Sequence, residues 1–172
     1  MMVPVIIEAG PNEGPRSDMV LNRQRRVPVA VGPLARFLER VRLELRFPAH
    51  GVAVQLVSDA AMARLNWTFR RKRGPTDVLS FPAQGQGAGT ARARRAHRRL
   101  QAAGVQYVGD IAISPETARR NARRDSRPLP EELRMLVLHG MIHLAGYDHH
   151  TDQGQMEKLE TALRCRLGLL PR

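Results

Sequence analysis

Four of the six histidines in this 172-residue chain fall in one segment, His139-Gly140-Met141-Ile142-His143-Leu144-Ala145-Gly146-Tyr147-Asp148-His149-His150. His139 and His143 are four positions apart, so on a helix their rings lie one above the other and can reach a common ion at about 2.1 Å. Gly146 supplies the left-handed residue that ends a helix and reverses the chain, which brings His149 back as a third nitrogen donor. Three protein nitrogens leave one tetrahedral position open, and an open position separates a catalytic zinc from a structural one. One Zn2+ is expected, although nickel, copper and iron accept the same donors. Cys165 is the only cysteine, so neither a thiolate cage nor an intramolecular disulfide is available. Asp148 suits either of two roles, orienting a ligand imidazole or stabilising the turn, and His150 reads as a solvated neighbour or a support for the ligands.

The spacing His-x3-His-x2-Gly-x2-His matches the metzincin frame, in which a Glu after the first His is the general base of a metallopeptidase. Here that residue is Gly140. Peptide hydrolysis by the usual route therefore lacks its proton acceptor. Phosphodiester cleavage tolerates the loss better, because a metal and a fixed cation stabilise the phosphate's added charge directly. Arg70, in Asn66-Trp67-Thr68-Phe69-Arg70-Arg71-Lys72, is the candidate cation, with a guanidinium fork shaped for two phosphate oxygens.

Lys plus Arg number 28 against 16 acids, a formal net charge of +12 that favours a polyanionic partner. Aromatic residues make up 4% of the chain, so base-stacking platforms are scarce and recognition through backbone and shape is expected. No apolar run approaches the roughly 20 residues needed to cross a bilayer, and the N-terminus lacks the pattern of a signal peptide. The expected location is the cytoplasm.

Positioning this chemistry requires a single α+β domain over residues 1–172, with a small mixed sheet of about four strands and about five helices. Val3 to Ile7 reads as a strand, followed by a Pro/Gly-rich stretch through Arg26. A helix with Pro33 near its start and a Leu34, Leu38, Val41, Leu45 stripe comes next. Val52 to Val57 reads as a strand, and Ser58-Asp59 caps a helix through about Trp67. Residues 77–82 and 105–114 form two further strands, separated by a basic insertion at about 83–104 that reads as a flexible loop. Ser114-Pro115-Glu116 opens a helix to about Asp125. The histidine helix buries Leu133, Leu136, Val137, Gly140 and Leu144, and a last helix from near Thr151-Asp152 buries Met156, Leu159, Leu163 and Leu167.

Three segments together resemble the YbeY family of endoribonucleases. Leu138 to His149 is similar to its HGxLHLxGYDH signature. Phe69-Arg70-Arg71-Lys72 with Pro75 to Pro82 is similar to its RxKDxPTDVLSFP block, and Gly109 to Ser114 to its GDIxIS strand. The resemblance implies a metal-dependent, single-strand-specific endoribonuclease acting in 16S rRNA 3′ end maturation and ribosome quality control. It carries the metal ligands to His139, His143 and His149 and the functional arginine to Arg70. The implied partners are RNA, the small ribosomal subunit and the Era GTPase, with no DNA or membrane role. Arg73 stands where the family usually has an acid, and the basic insertion replaces an acidic spacer. Two other readings remain at this point, a metallopeptidase and a non-catalytic ribosome-binding module with a structural metal.

Overall fold

The structure is a computed structural model in which residues 19–48, 51–83, 106–147 and 153–169 are described. Along the chain run β1 (Met19–Asn22), α1 (Val31–Glu44), β2 (Val52–Leu56), α2 (Asp59–Arg70), β3 (Val78–Pro82) and β4 (Gly109–Ile113). Three helices follow, α3 (Pro115–Arg124), α4 (Leu129–Leu144) and α5 (Gln155–Arg166). The sheet order is β1-β2-β4-β3, parallel except for β3, which pairs antiparallel with β4 at the edge. This is the expected α+β architecture of a four-stranded mixed sheet with five helices among the described residues.

Because successive strand residues point to opposite faces, the sheet has two distinct sides. Val20, Val54, Leu56, Ile111 and Ile113 pack against α1 and α4, together with Leu38, Val41, Val137, Met141 and Ile142, in the larger core cluster. On the other side Leu79 and Ala112 meet Met62 and Leu65 of α2, with Phe81 at its margin. Leu38, Met141 and Ile142 are fully excluded from solvent. Truncating any one of them to alanine costs about 2–5 kcal/mol.

Local sequence explains most boundaries. The Ser58 hydroxyl accepts from the Ala61 amide to cap α2, and the Ser114 hydroxyl accepts from the Thr117 amide to cap α3, with Pro115 beside it. α2 continues past Trp67 to Arg70 and stops where Arg71 turns left-handed, at φ 56°. The last strand is shorter than expected, five residues from Gly109. The Val3–Ile7 strand and the 83–104 insertion fall outside the described residues, apart from Ala83.

One strand departs from expectation. β1 lies inside the stretch read as a Pro/Gly-rich connection. Its Met-Val-Leu-Asn sequence is short and has one β-branched residue, so it has little strand preference of its own. Parallel pairing with β2, Val20 opposite Val54, creates it. Gln24 then fastens the chain beyond it, its side chain accepting from the Val27 amide and donating to Val27 and Asn22 oxygens.

Candidate metal centre and its surroundings

The histidine helix starts after Pro128, with Pro130, Glu131 and Glu132 in its first turn. Acids there suit the positive end of the helix dipole. Burial raises the carboxyl pKa of Glu132, and the neighbouring Arg127 guanidinium, 3.1 Å away, opposes that rise. At the other end, Gly146 has φ 93°, and the Gly146 and Tyr147 amides donate to the His143 and Ile142 carbonyls. That pair of bonds is a Schellman turn, the reversal anticipated from Gly146.

On this helix His139 and His143 come together as the four-residue spacing requires. Their ring centroids lie 4.7 Å apart at 82°, and the two Nε2 atoms are 3.1 Å apart. Two ligands of one tetrahedral zinc at about 2.0–2.1 Å would be separated by roughly 3.3 Å. The pair is therefore already set near the spacing that one ion demands. His139 Nδ1 lies 3.1 Å from Glu160 Oε2. A carboxylate at that nitrogen favours the proton on Nδ1, which leaves the Nε2 lone pair facing His143.

Glu160 itself sits on α5, 93% buried, and its second oxygen accepts from Arg164 one turn later. Burial pushes its pKa upward. The hydrogen bond with His139 and the Arg164 charge outweigh that effect and hold the carboxylate below its ordinary range. Sequence reasoning looked to Asp148 for such a carboxylate and missed Glu160. The available signal was a Glu inside an apolar stripe, between Met156 and Leu163 on one face of a helix.

His149, the third expected ligand, lies outside the described residues, as do Asp148 and His150. Among the described residues no group of three His, Cys, Asp or Glu side chains is arranged to hold a metal. The imidazole pair and its carboxylate lie within the described residues, and imidazole nitrogens are donors of the kind that zinc and its neighbours accept.

The structure also explains Gly140. One position after His139, it faces the sheet, and a Cβ built there would come within 3.0 Å of Ile111 and 3.1 Å of Ser80 Oγ. Ser80 donates to the Gly140 carbonyl at 3.2 Å. A glutamate at this position would be driven into the core.

Arg70 is the last residue of α2, on the opposite side of the sheet from α4, and is exposed. Within the described residues it makes no hydrogen bond or ion pair. Its support is indirect. Phe69 packs edge-on against Phe81 of β3, with centroids 4.9 Å apart, and the adjacent Ser80 holds α4. Asn66 donates to the Gly74 carbonyl at 2.9 Å, which ties down the basic turn after the helix. The edge strand thus touches both the histidine helix and the arginine helix, which lie on opposite sides of the sheet.

The α+β fold thus has a central helix that aligns two imidazoles on one face, beside a buried carboxylate. The family model described as "Endoribonuclease YbeY" matches residues 23–168. A protein of that name from Koribacter versatilis is 38% identical over 151 residues, 88% of this chain and 86% of its own. Another from Solibacter usitatus is 37% identical over 138 residues, 79% and 78% of the two chains. The solution structure of a Thermotoga maritima protein superposes with a TM-score of 0.55 at 27% identity, covering 87% of this chain and 89% of that one. The chain belongs to the YbeY endoribonuclease family.

Proposed function

We propose that this protein is a single-strand-specific, metal-dependent endoribonuclease of the cytoplasm that acts in 16S rRNA 3′ end maturation and ribosome quality control. The observation that carries the reading is the convergence of the His139 and His143 Nε2 atoms at 3.1 Å, with Nδ1 of His139 held by Glu160. His139, His143 and His149 would hold one zinc ion. When bound, such an ion supplies Lewis-acid stabilisation of phosphate charge and lowers the pKa of a coordinated water.

The chain's own residues do the rest. Glu160 keeps the His139 ring in the ligating tautomer. Arg70, exposed at the end of α2, engages phosphate oxygens through two parallel N–H donors and offsets charge as the phosphate becomes pentavalent. The net charge of +12 draws the polyanion to the protein. The small ribosomal subunit and the Era GTPase are the partners expected from the family. No helix among the described residues is long and apolar enough to cross a membrane.

The decisive experiment measures metal content and cleavage of a precursor 16S rRNA 3′ segment on the same preparations. His143→Ala is expected to lose both. An Ala variant that cuts at the wild-type rate would end this reading. Mapping the product ends separates attack by water from attack by the RNA 2′-hydroxyl, since a 2′,3′-cyclic phosphate requires the latter.

A further inference from the structure

The outward side of α2 carries a feature that its composition did not suggest. Trp67, the only tryptophan in the chain, is 49% exposed. At 100° per residue it points away from Met62, Leu65 and Asn66, which face the core. Arg64 and Arg70 stand three before and three after it, positions that neighbour a side chain on a helix surface, and Arg71 follows as the left-handed residue that ends the helix. All three arginines are exposed, and none has an acidic partner within the described residues. An indole half open to solvent thus shares this end of the helix with three exposed arginines.

We propose that Trp67 is a base-stacking platform for single-stranded RNA, receiving the base next to a phosphate held by Arg70. The inference rests on the endoribonuclease reading and adds to it a point of contact with the bases. A half-exposed indole next to exposed cations suits a strand whose phosphates and bases lie side by side. Stacking on an indole is tolerant of sequence, because every base has a π-face, yet it requires an unpaired base. It therefore selects single strands over duplexes. A protein partner with an acidic, apolar face is the competing occupant, and the test below separates the two.

As the only tryptophan, Trp67 reports on its own surroundings. The metal-loaded protein is titrated with a short 2′-O-methyl oligoribonucleotide and with an abasic ribose-phosphate chain of equal length, following tryptophan emission and, separately, anisotropy of a labelled probe. The oligonucleotide is expected to quench emission and the abasic chain to bind without quenching. Trp67→Ala should weaken oligonucleotide binding by about 5- to 100-fold and leave abasic binding and metal content unchanged. Trp67→Phe should restore most of the affinity. Anisotropy showing tight oligonucleotide binding with neither quenching nor an effect of Trp67→Ala would overturn the proposal and leave the nuclease reading standing. Emission that responds to RNA-free small-subunit proteins and not to the oligonucleotide would overturn it in favour of a protein partner. Failure of the wild type to bind or cut any RNA would remove both.

Discussion

Glu160 and Asp110 are buried carboxyl groups on opposite sides of the sheet, 7% and 8% exposed, and their surroundings treat them in opposite ways. Glu160, on the histidine side, has one oxygen on His139 and the other on Arg164, so it stays charged despite burial. Asp110 shares its side of the sheet with Ala112 and the α2 contacts, between Ala53 and Phe81 of the flanking strands. Burial raises its pKa to about 6, a rise that the Tyr107 hydroxyl only partly opposes, and its Oδ1 has no hydrogen-bond partner among the described residues. Burial alone does not decide what a carboxylate does; its partners do. The histidine side is packed and pinned, whereas the α2 side meets solvent with an open indole and with arginines that have no acidic partner among the described residues.

Four substitutions test this contrast, in descending order of effect. His143→Ala should abolish both metal content and RNA cleavage, as measured by elemental analysis and end-mapping. Arg70→Glu should keep the metal and lower kcat/KM for single-stranded RNA by about 10²-fold or more. A full loss of metal in that variant would show that the two sides are not separate. Glu160→Ala should weaken metal affinity by about 10- to 100-fold in a chelator competition, with the fold intact by circular dichroism. Unchanged affinity would mean the carboxylate does not orient the ring.

Asp110→Asn should stabilise the protein. The folded-state pKa lies above the ordinary 3.8, so the folded chain holds the proton more tightly and burial of the charge costs stability as pH rises from about 4 through 6. Above that window the cost is fully present and below it the cost is absent. The variant should therefore gain about 3 kcal/mol in urea unfolding at pH 7.5 and almost nothing near pH 4. A gain that does not depend on pH would place its origin elsewhere.

Much of the histidine helix was legible in the chain, because its information is local. His139 and His143 need only helix periodicity to meet, and Gly146 announces the turn. Glu160 was not legible, since its partner lies 21 residues away and only the packing of α5 against α4 brings them together. β1 was missed for the same reason, its strand character being borrowed from β2. Gly140 was read as a missing base, while the structure adds a steric side, a helix so close to the sheet that a Cβ would lie 3.0 Å from Ile111. The expectation that stacking platforms are scarce followed from composition, which does not say that Trp67 is among the aromatics left exposed.

The edge strand β3 has a mechanical consequence. Ser80 reaches α4 on one side and Phe81 reaches α2 on the other, so a slip of this strand by a single residue would exchange those two contacts. Lesions anywhere from Val78 to Pro82 should consequently impair ion retention and phosphate engagement in parallel, since one plank braces both walls.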